Sequence, residues 1–204
     1  MNTLSAGNYM EFPYKIILAS NSPRRRELLA GLGLNYTIRI MDGIDESWPQ
    51  ELRGEVIPIY ISKEKAAPYK ATIASDELVI TADTIVYVDG QVLGKPVDRN
   101  DAKRMLRLIS GRWHEVITGV TLMTSRRESS FAVTTKVKFC NLTDSEIEHY
   151  VESGLPMDKA GAYGIQEWIG YVGVEAIEGS YFNVVGLPVQ RLYRELINFT
   201  ESKQ

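Results

Sequence analysis

Apolar positions recur along this chain in two rhythms, the alternation of strands and the three-to-four spacing of amphipathic helices, and the two interleave from end to end. The apolar run Ile16 to Ala19 reads as a short strand. A polar elbow, Ser20-Asn21-Ser22, leads into a helix with Ser22 as N-cap and Pro23 at the first position, where a missing N–H costs nothing. Leu28, Leu29 and Leu32 form its apolar stripe, and Gly31 or Gly33 closes it. "NYTIRI" is a strand, and "MDGIDESWPQELRG" is a polar, turn-rich connection carrying Asp45 and Glu46. "EVIPIYISKEKAAPYKATI" is helical, with Pro68 ending or kinking it.

Further on, "ELVITADTIVYVDGQVLGKP" reads as a strand, an Asp89-Gly90 hairpin turn and a return strand. In "DRNDAKRMLRLISG", Ala102, Met105, Leu106 and Ile109 follow helical spacing up to Ser110-Gly111. "HEVITGVTLMT" and "SSFAVTTKVKFC" predict a strand hairpin, and "TDSEIEHYVESG" a helix with a capping box, Thr143 with Glu146, ending at Gly154. "DKAGAYGIQEWIG" reads as a Gly-rich loop, "GSYFNVVG" as a short strand, and "LPVQRLYRELINF" as a final amphipathic helix starting near Pro188. Such alternation predicts an α/β fold, without internal repeats or low-complexity linkers.

Composition narrows the function classes. At 204 residues the chain can build one large core or two closely packed lobes. A formal net charge of −3 provides no global basic field, so a nucleic-acid partner is not expected and any phosphate chemistry is local. One cysteine, Cys140, excludes an internal disulfide and a multi-cysteine zinc site. His114 and His149 lie far apart on different elements, which favours a surface or hydrogen-bonded structural role for each over metal ligation. The opening "MNTLSAGNYMEF" lacks a secretory pattern, and no stretch approaches the roughly 20 apolar residues of a membrane helix. A cytoplasmic protein with no membrane partner is the expectation.

Several polar residues stand out. Arg24, Arg25 and Arg26 begin a helix, where the dipole disfavours cations by roughly 0.3–1 kcal/mol each. They form either a solvated helix face or, with the free N–H groups and hydroxyls, a phosphate cradle. Asp83 interrupts the apolar "VITADTIVYV". It is either an edge-strand carboxylate facing water or a base or metal ligand, because an unpaired carboxylate among Val79, Ile80, Ile85 and Val86 is costly. Lys65 and Lys95 read alone as surface lysines, and Asp45 and Glu46 as turn carboxylates unless a hard divalent cation is present. No GxxxxGK[ST] or G-x-S-x-G occurs, and "GLGLNY" sits at a helix end, so P-loop, Rossmann and Ser-His-Asp readings fall away.

Taken together, "LASNSPRRREL", "ITADTIVYVDGQVLGKP", "AKRMLRLISGRWHEVITGV", "DKAGAYGIQ" and "GSYFNVVGLPV" resemble the Maf family in order and spacing, from residue 15 to about 197. The resemblance implies an elongated mixed sheet flanked by helices, with two lobes and a central cleft, like the inosine triphosphate pyrophosphatases. It implies an N-terminal extension over 1–14, a single domain over 15–199 and a tail over 200–204. The implied activity is nucleoside triphosphate pyrophosphatase, dependent on Mg²⁺ or Mn²⁺, in a protein that is often a homodimer. "DKAGAYGIQ" resembles the branch acting on dTTP and UTP; the sister branch prefers 7-methyl-GTP.

By the same resemblance, Asp83 corresponds to the proton acceptor, and Ser20, Ser22, Arg24, Lys65 and Lys95 to the polyphosphate contacts. Glu46, with Asp83, corresponds to the metal site, and Arg25, Thr84 and Gln166 to the positions that set base specificity. Asn21 and Glu167 depart from the family pattern, which has a small residue and a glycine there. The family was first associated with inhibition of septum formation, so the alternatives are a non-catalytic, nucleotide-binding regulator of division, or a pyrophosphatase preferring another nucleotide such as 7-methyl-GTP. Binding alone would need the cations but not the base, and Asp83 favours the enzyme.

Overall fold

A computed structural model describes residues 12–201. The expected absence of a secretory segment, most of the 1–14 extension and the end of the tail therefore lie outside the described residues. Among the described residues, the strands are β1 (Lys15–Leu18), β2 (Tyr36–Ile38), β3 (Glu77–Val88), β4 (Gln91–Leu93), β5 (Trp113–Met123), β6 (Glu128–Phe139) and β7 (Val174–Glu178). They form one mixed sheet in the order β2-β1-β3-β5-β6-β7, with β4 added to β3. Only β1 runs parallel to its neighbours, β2 and β3. The helices are α1 (Pro23–Ala30), α2 (Val56–Ala66), α3 (Arg99–Ile109), α4 (Asp144–Glu152), α5 (Trp168–Gly173), α6 (Tyr181–Val185) and α7 (Val189–Glu201).

Period-two alternation assigns each residue of β3 to one side of the sheet. Leu78, Ile80 and Ala82, with Val120 and Leu122 of β5, pack against Leu29 of α1 and Leu192 and Leu196 of α7. Farther along the same strands, Val86, Val88 and Val116, with Val137 and Phe139 of β6, pack against α3, α4 and α5 through Leu106, Ile109, Ile147, Val151 and Ile169. These clusters are the cores of the two lobes, and each fully buried leucine contributes roughly 1.5–3 kcal/mol. On the opposite side, Ile85 and Ile117 meet Ile57 and Ile61 of α2. The α/β expectation holds, with three long strands running through both lobes.

The sheet has a break. β1 pairs with β3 only as far as Leu18 opposite Ile80, and the pairing with β4 starts only at Val86, opposite Leu93. Between them, β3 has a strand neighbour on one side alone, β5, where Asp83 lies opposite Gly119. Its other side is free for something besides backbone.

Local expectations fare unevenly. Ser22 caps α1 as expected, with Pro23 first in the helix, and the Thr143–Glu146 capping box starts α4. Asp89 and Gly90 both take positive φ, 47° and 78°, as a tight hairpin requires. α2 ends at Ala66, two residues before Pro68, and continues as a 3₁₀ turn over Ala67–Ala71. The strand expected in "GSYFNVVG" is instead α6: Ser180 caps it by accepting from the Asn183 N–H. That turn aims fully buried Asn183 into the sheet, where its Nδ2 donates to the Val116 carbonyl and to Thr135 Oγ1, both at 3.0 Å. The loop expected over "DKAGAYGIQEWIG" also ends in α5, followed by β7.

His114 takes the structural role expected of it. It is buried on β5, its Nε2 2.7 Å from the Tyr163 hydroxyl. His149 is exposed and lies edge-on to Trp168. Burial pushes the His114 imidazole from its ordinary 6.5 down to about 4. Between those values the unfolded chain binds the proton and the folded chain does not, so stability falls as pH drops through this window. Roughly 3 kcal/mol is lost in all. Thermal denaturation at pH 7 and pH 4.5 should show this loss in the native protein and a smaller one in His114→Gln. Equal acid sensitivity of the two would assign it to other groups.

Candidate functional site

The unpartnered stretch of β3 opens onto a cleft of about 500 Å³ between the lobes. Its walls come from the start of α1, the loop over 40–46, Lys95 beyond β4, the loop over 158–166, and the end of α6. Ser20, Ser22, Arg24, Arg25, Glu46, Lys65, Asp83, Thr84, Lys95 and Gln166 all line it.

Asp83 is 8% exposed on a central strand, which removes the edge-strand reading. Its Oδ1 accepts from Lys65 Nζ at 2.7 Å, and the same ammonium lies 3.1 Å from Glu46 Oε1. Lys65 is accordingly no surface lysine; its side chain is 14% exposed. Two buried bonds hold α2 in register for this contact. Thr81 Oγ1 donates to the Ser62 carbonyl at 2.6 Å, and Ser62 Oγ lies 2.8 Å from Thr121 Oγ1. Glu46 is exposed, whereas Asp45 is a turn carboxylate, accepting from the Ser47 N–H and hydroxyl at 2.8 Å.

Glu46 and Asp83 thus bring carboxylate oxygens to a common cation, Lys65. Among the described residues, no three His, Cys, Asp or Glu side chains gather to enclose a metal. One or two carboxylates completed by phosphate oxygens and water is the donor set Mg²⁺ takes in nucleotide enzymes. The residues present fit such an ion.

The arginines separate into three roles. Arg24 reaches across the cleft to Asp158, Nη1 to Oδ2 at 2.8 Å. Arg25 closes the break in the sheet: its Nη1 donates to the Ala82 carbonyl at 2.8 Å, its Nη2 to Thr84 Oγ1 at 3.0 Å and its Nε to the Gly186 carbonyl at 2.9 Å. A guanidinium fork supplies here what the missing strand does not. Burial pulls its pKa below the ordinary value, against the opposing effect of Asp83. Arg26 turns back on its own elbow, to the Ser20 carbonyl and Asn21 Oδ1, and does not line the cleft. Of the three arginines, Arg24 and Arg25 line the cleft and Arg26 does not. Lys95 is exposed at the rim, with no ion-pair partner among the described residues.

On the far wall, sequence reasoning found Gln166 but missed Lys159 and Asp158. Lys159 is 6% exposed, and its ammonium donates to the Leu155 carbonyl and to Asp158 Oδ1, both at 2.6 Å, and meets Glu167 Oε1 at 2.8 Å. Glu167 also accepts from the buried Tyr150 hydroxyl, whose pKa burial and this carboxylate push well up. The departure at Glu167 thus adds no unpaired charge beside the cleft. Burial works to raise the Asp158 carboxyl, and the bonds from Lys159 and Arg24 outweigh it, leaving it below its ordinary value. The available signal was the charge spacing Asp158, Lys159, Glu167 within a Gly-rich loop. Gln166 Oε1 is buried beside the cleft with no hydrogen-bond partner.

A Bacteroides fragilis dTTP/UTP pyrophosphatase is 58% identical over 183 residues, 90% of this chain and 95% of that protein. A Phocaeicola vulgatus dTTP/UTP pyrophosphatase is 59% identical with the same coverage, 90% and 95%. Among solved structures, the Staphylococcus aureus Ham1 protein aligns over 89% of this chain and 99% of that one, at 14% identity and a TM-score of 0.49. The family model for Maf-like protein matches residues 15–199. With nearly all its described residues inside that match, this chain belongs to the Maf-like protein family.

Proposed function

We propose that the protein hydrolyses dTTP and UTP to the monophosphate and pyrophosphate, clearing nucleotides from the pool. The observation that carries this reading is the Asp83–Lys65–Glu46 cluster, set at the break of the sheet and facing the start of α1. The names borne by relatives 58% and 59% identical support the choice of nucleotide.

A triphosphate repels an incoming hydroxide, so the reaction needs cations around the phosphates and a base for water. Ser20, Ser22 and Arg24, at the start of α1, receive the phosphates, and Lys95 closes over them from the rim. Asp83 takes a proton from water as its oxygen attacks the α-phosphorus. The bond from that phosphorus to the bridging oxygen breaks, and Arg24, Lys65 and Lys95 meet the charge on the departing pyrophosphate. Glu46 and Asp83 would hold a Mg²⁺ or Mn²⁺ ion, which would further neutralise the phosphate charge. Thr84 and Arg25 shape the floor, and Gln166 faces the base. Its amide offers one donor and one acceptor, matching the O4 and N3–H edge shared by thymine and uracil.

Incubation with equimolar dTTP, UTP, CTP, GTP and 7-methyl-GTP, with Mg²⁺ or Mn²⁺, tests the reading. Pyrophosphate release from dTTP and UTP first, with CTP slower and purines poor, is the expected result. Consumption of 7-methyl-GTP first would overturn the branch, phosphate in place of pyrophosphate the reaction, and no turnover the enzyme itself. Arg24→Ala and Lys95→Ala should each weaken triphosphate binding about tenfold or more, since a charge-assisted contact is worth roughly 1.5–3 kcal/mol. Unchanged KM and kcat in both would return these side chains to solvent.

A further inference from the structure

No hydrogen bond among the described residues holds the Gln166 side chain itself, so its aim depends on the backbone that carries it. That backbone is a four-residue turn, closed by the Glu167 N–H donating to the Gly164 carbonyl at 3.0 Å. Both ends of the turn meet one fully buried hydroxyl on α4. Tyr150 accepts from the Gly164 N–H at 3.1 Å and donates to the Glu167 carboxylate. The other oxygen of that carboxylate is held by Lys159 at 2.8 Å. Lys159 donates to Leu155 and Asp158 and is ion-paired with Glu167, so losing any one of the three leaves a buried charge short.

We propose that Glu167 is a positioning residue for base selectivity: tied to Tyr150 and Lys159, it fixes the turn that aims Gln166, and Gly164 is the matching half of the device. The proposal rests on the reading of Gln166 as the base contact. Gly164 enters because a Cβ there would lie 2.7 Å from Glu167 Cδ and 2.9 Å from Lys159 Cε. Side-chain ends usually move aside, but these two are pinned by the ion pair. A side chain at 164 and a carboxylate at 167 exclude one another, so the two positions act as one unit. The departure at Glu167 becomes intelligible as a second way of holding the same turn.

The test measures dissociation constants for α,β-imido-dUTP and α,β-imido-GTP by calorimetry, on the native protein, Glu167→Gly, Gly164→Ala, the double variant and Tyr150→Phe. Selectivity for the pyrimidine should fall about tenfold in Glu167→Gly, in Gly164→Ala and in Tyr150→Phe, because each removes an anchor of the turn. The double variant should be no worse than either single one, as expected of coupled sites. A selectivity ratio unchanged in Glu167→Gly and Tyr150→Phe, with only the melting temperature lowered, overturns the proposal, and so do single effects that multiply in the double variant. Pyrophosphate release by the native protein is followed separately. Its absence refutes the pyrophosphatase reading, while the ratio of binding constants still decides the role of Glu167.

Discussion

Asp83→Asn should lower turnover of dTTP and UTP by roughly 10²–10⁴-fold, the usual contribution of a positioned base. Asparagine keeps the size of the side chain and an oxygen for Lys65, now 2.7 Å from Oδ1. What it loses is the ability to take a proton from water. The neighbouring anchors of α2, at Ser62, Thr81 and Thr121, do not involve Asp83, so the fold should be retained. Lys65 keeps Glu46 as a partner. Steady-state pyrophosphate release, alongside a melting curve, separates lost chemistry from lost structure. Near-native turnover would sink the assignment of Asp83 as the base.

Gly119→Ala should damage both stability and activity, although Gly119 touches no substrate. It lies opposite Asp83, beneath α2, where a Cβ would stand 2.3 Å from the carbonyl carbon and oxygen of Pro58 and 2.5 Å from the Ile59 nitrogen. Backbone cannot step aside as a side-chain tip does. α2 must lift from the sheet, stretching the Ser62–Thr81–Thr121 bonds and withdrawing Lys65 from Asp83. A loss of about 3 kcal/mol follows from such overpacking. Urea denaturation measures the loss, and turnover corrected for the folded fraction measures the displacement of Lys65. A native midpoint would mean that helix and sheet have slack at this crossing.

How legible the molecule was depends on how local each cause is. Capping at Ser22 and Thr143, the Asp89-Gly90 turn and the end of α2 before Pro68 depend on neighbours within a few residues, and these were readable. "SYFNVV" carries strand-like composition, yet it is helical, because Asn183 finds its partners on β5 and β6. No local pattern contains that information. At the cleft, Asp83 was conspicuous as a carboxylate within an apolar run, whereas its cation, Lys65, comes from another element eighteen residues away. Arg25 and Arg26 look equivalent in sequence and differ only in what faces them: an unpaired Ala82 carbonyl for one, its own elbow for the other. Lys159 was passed over because its burial depends on Glu167 and Leu155 arriving from both sides.

The long strands have a mechanical consequence. β3, β5 and β6 pass without interruption from one lobe to the other, so the lobes share a spine and not a flexible hinge. Hinge closure concentrates its rotation in a few loop residues, and the floor of this cleft is instead a hydrogen-bonded ladder from Val79 opposite Met123 to Tyr87 opposite Glu115. Closing the jaws would mean twisting that ladder. On the proposed function, the grip on a nucleotide therefore comes from the walls, the loop over 40–46 and Lys95 among them, against a stiff base. In hydrogen exchange, the amides of β5 beneath the cleft should be equally slow with and without α,β-imido-dUTP, while those of the 40–46 loop slow on binding.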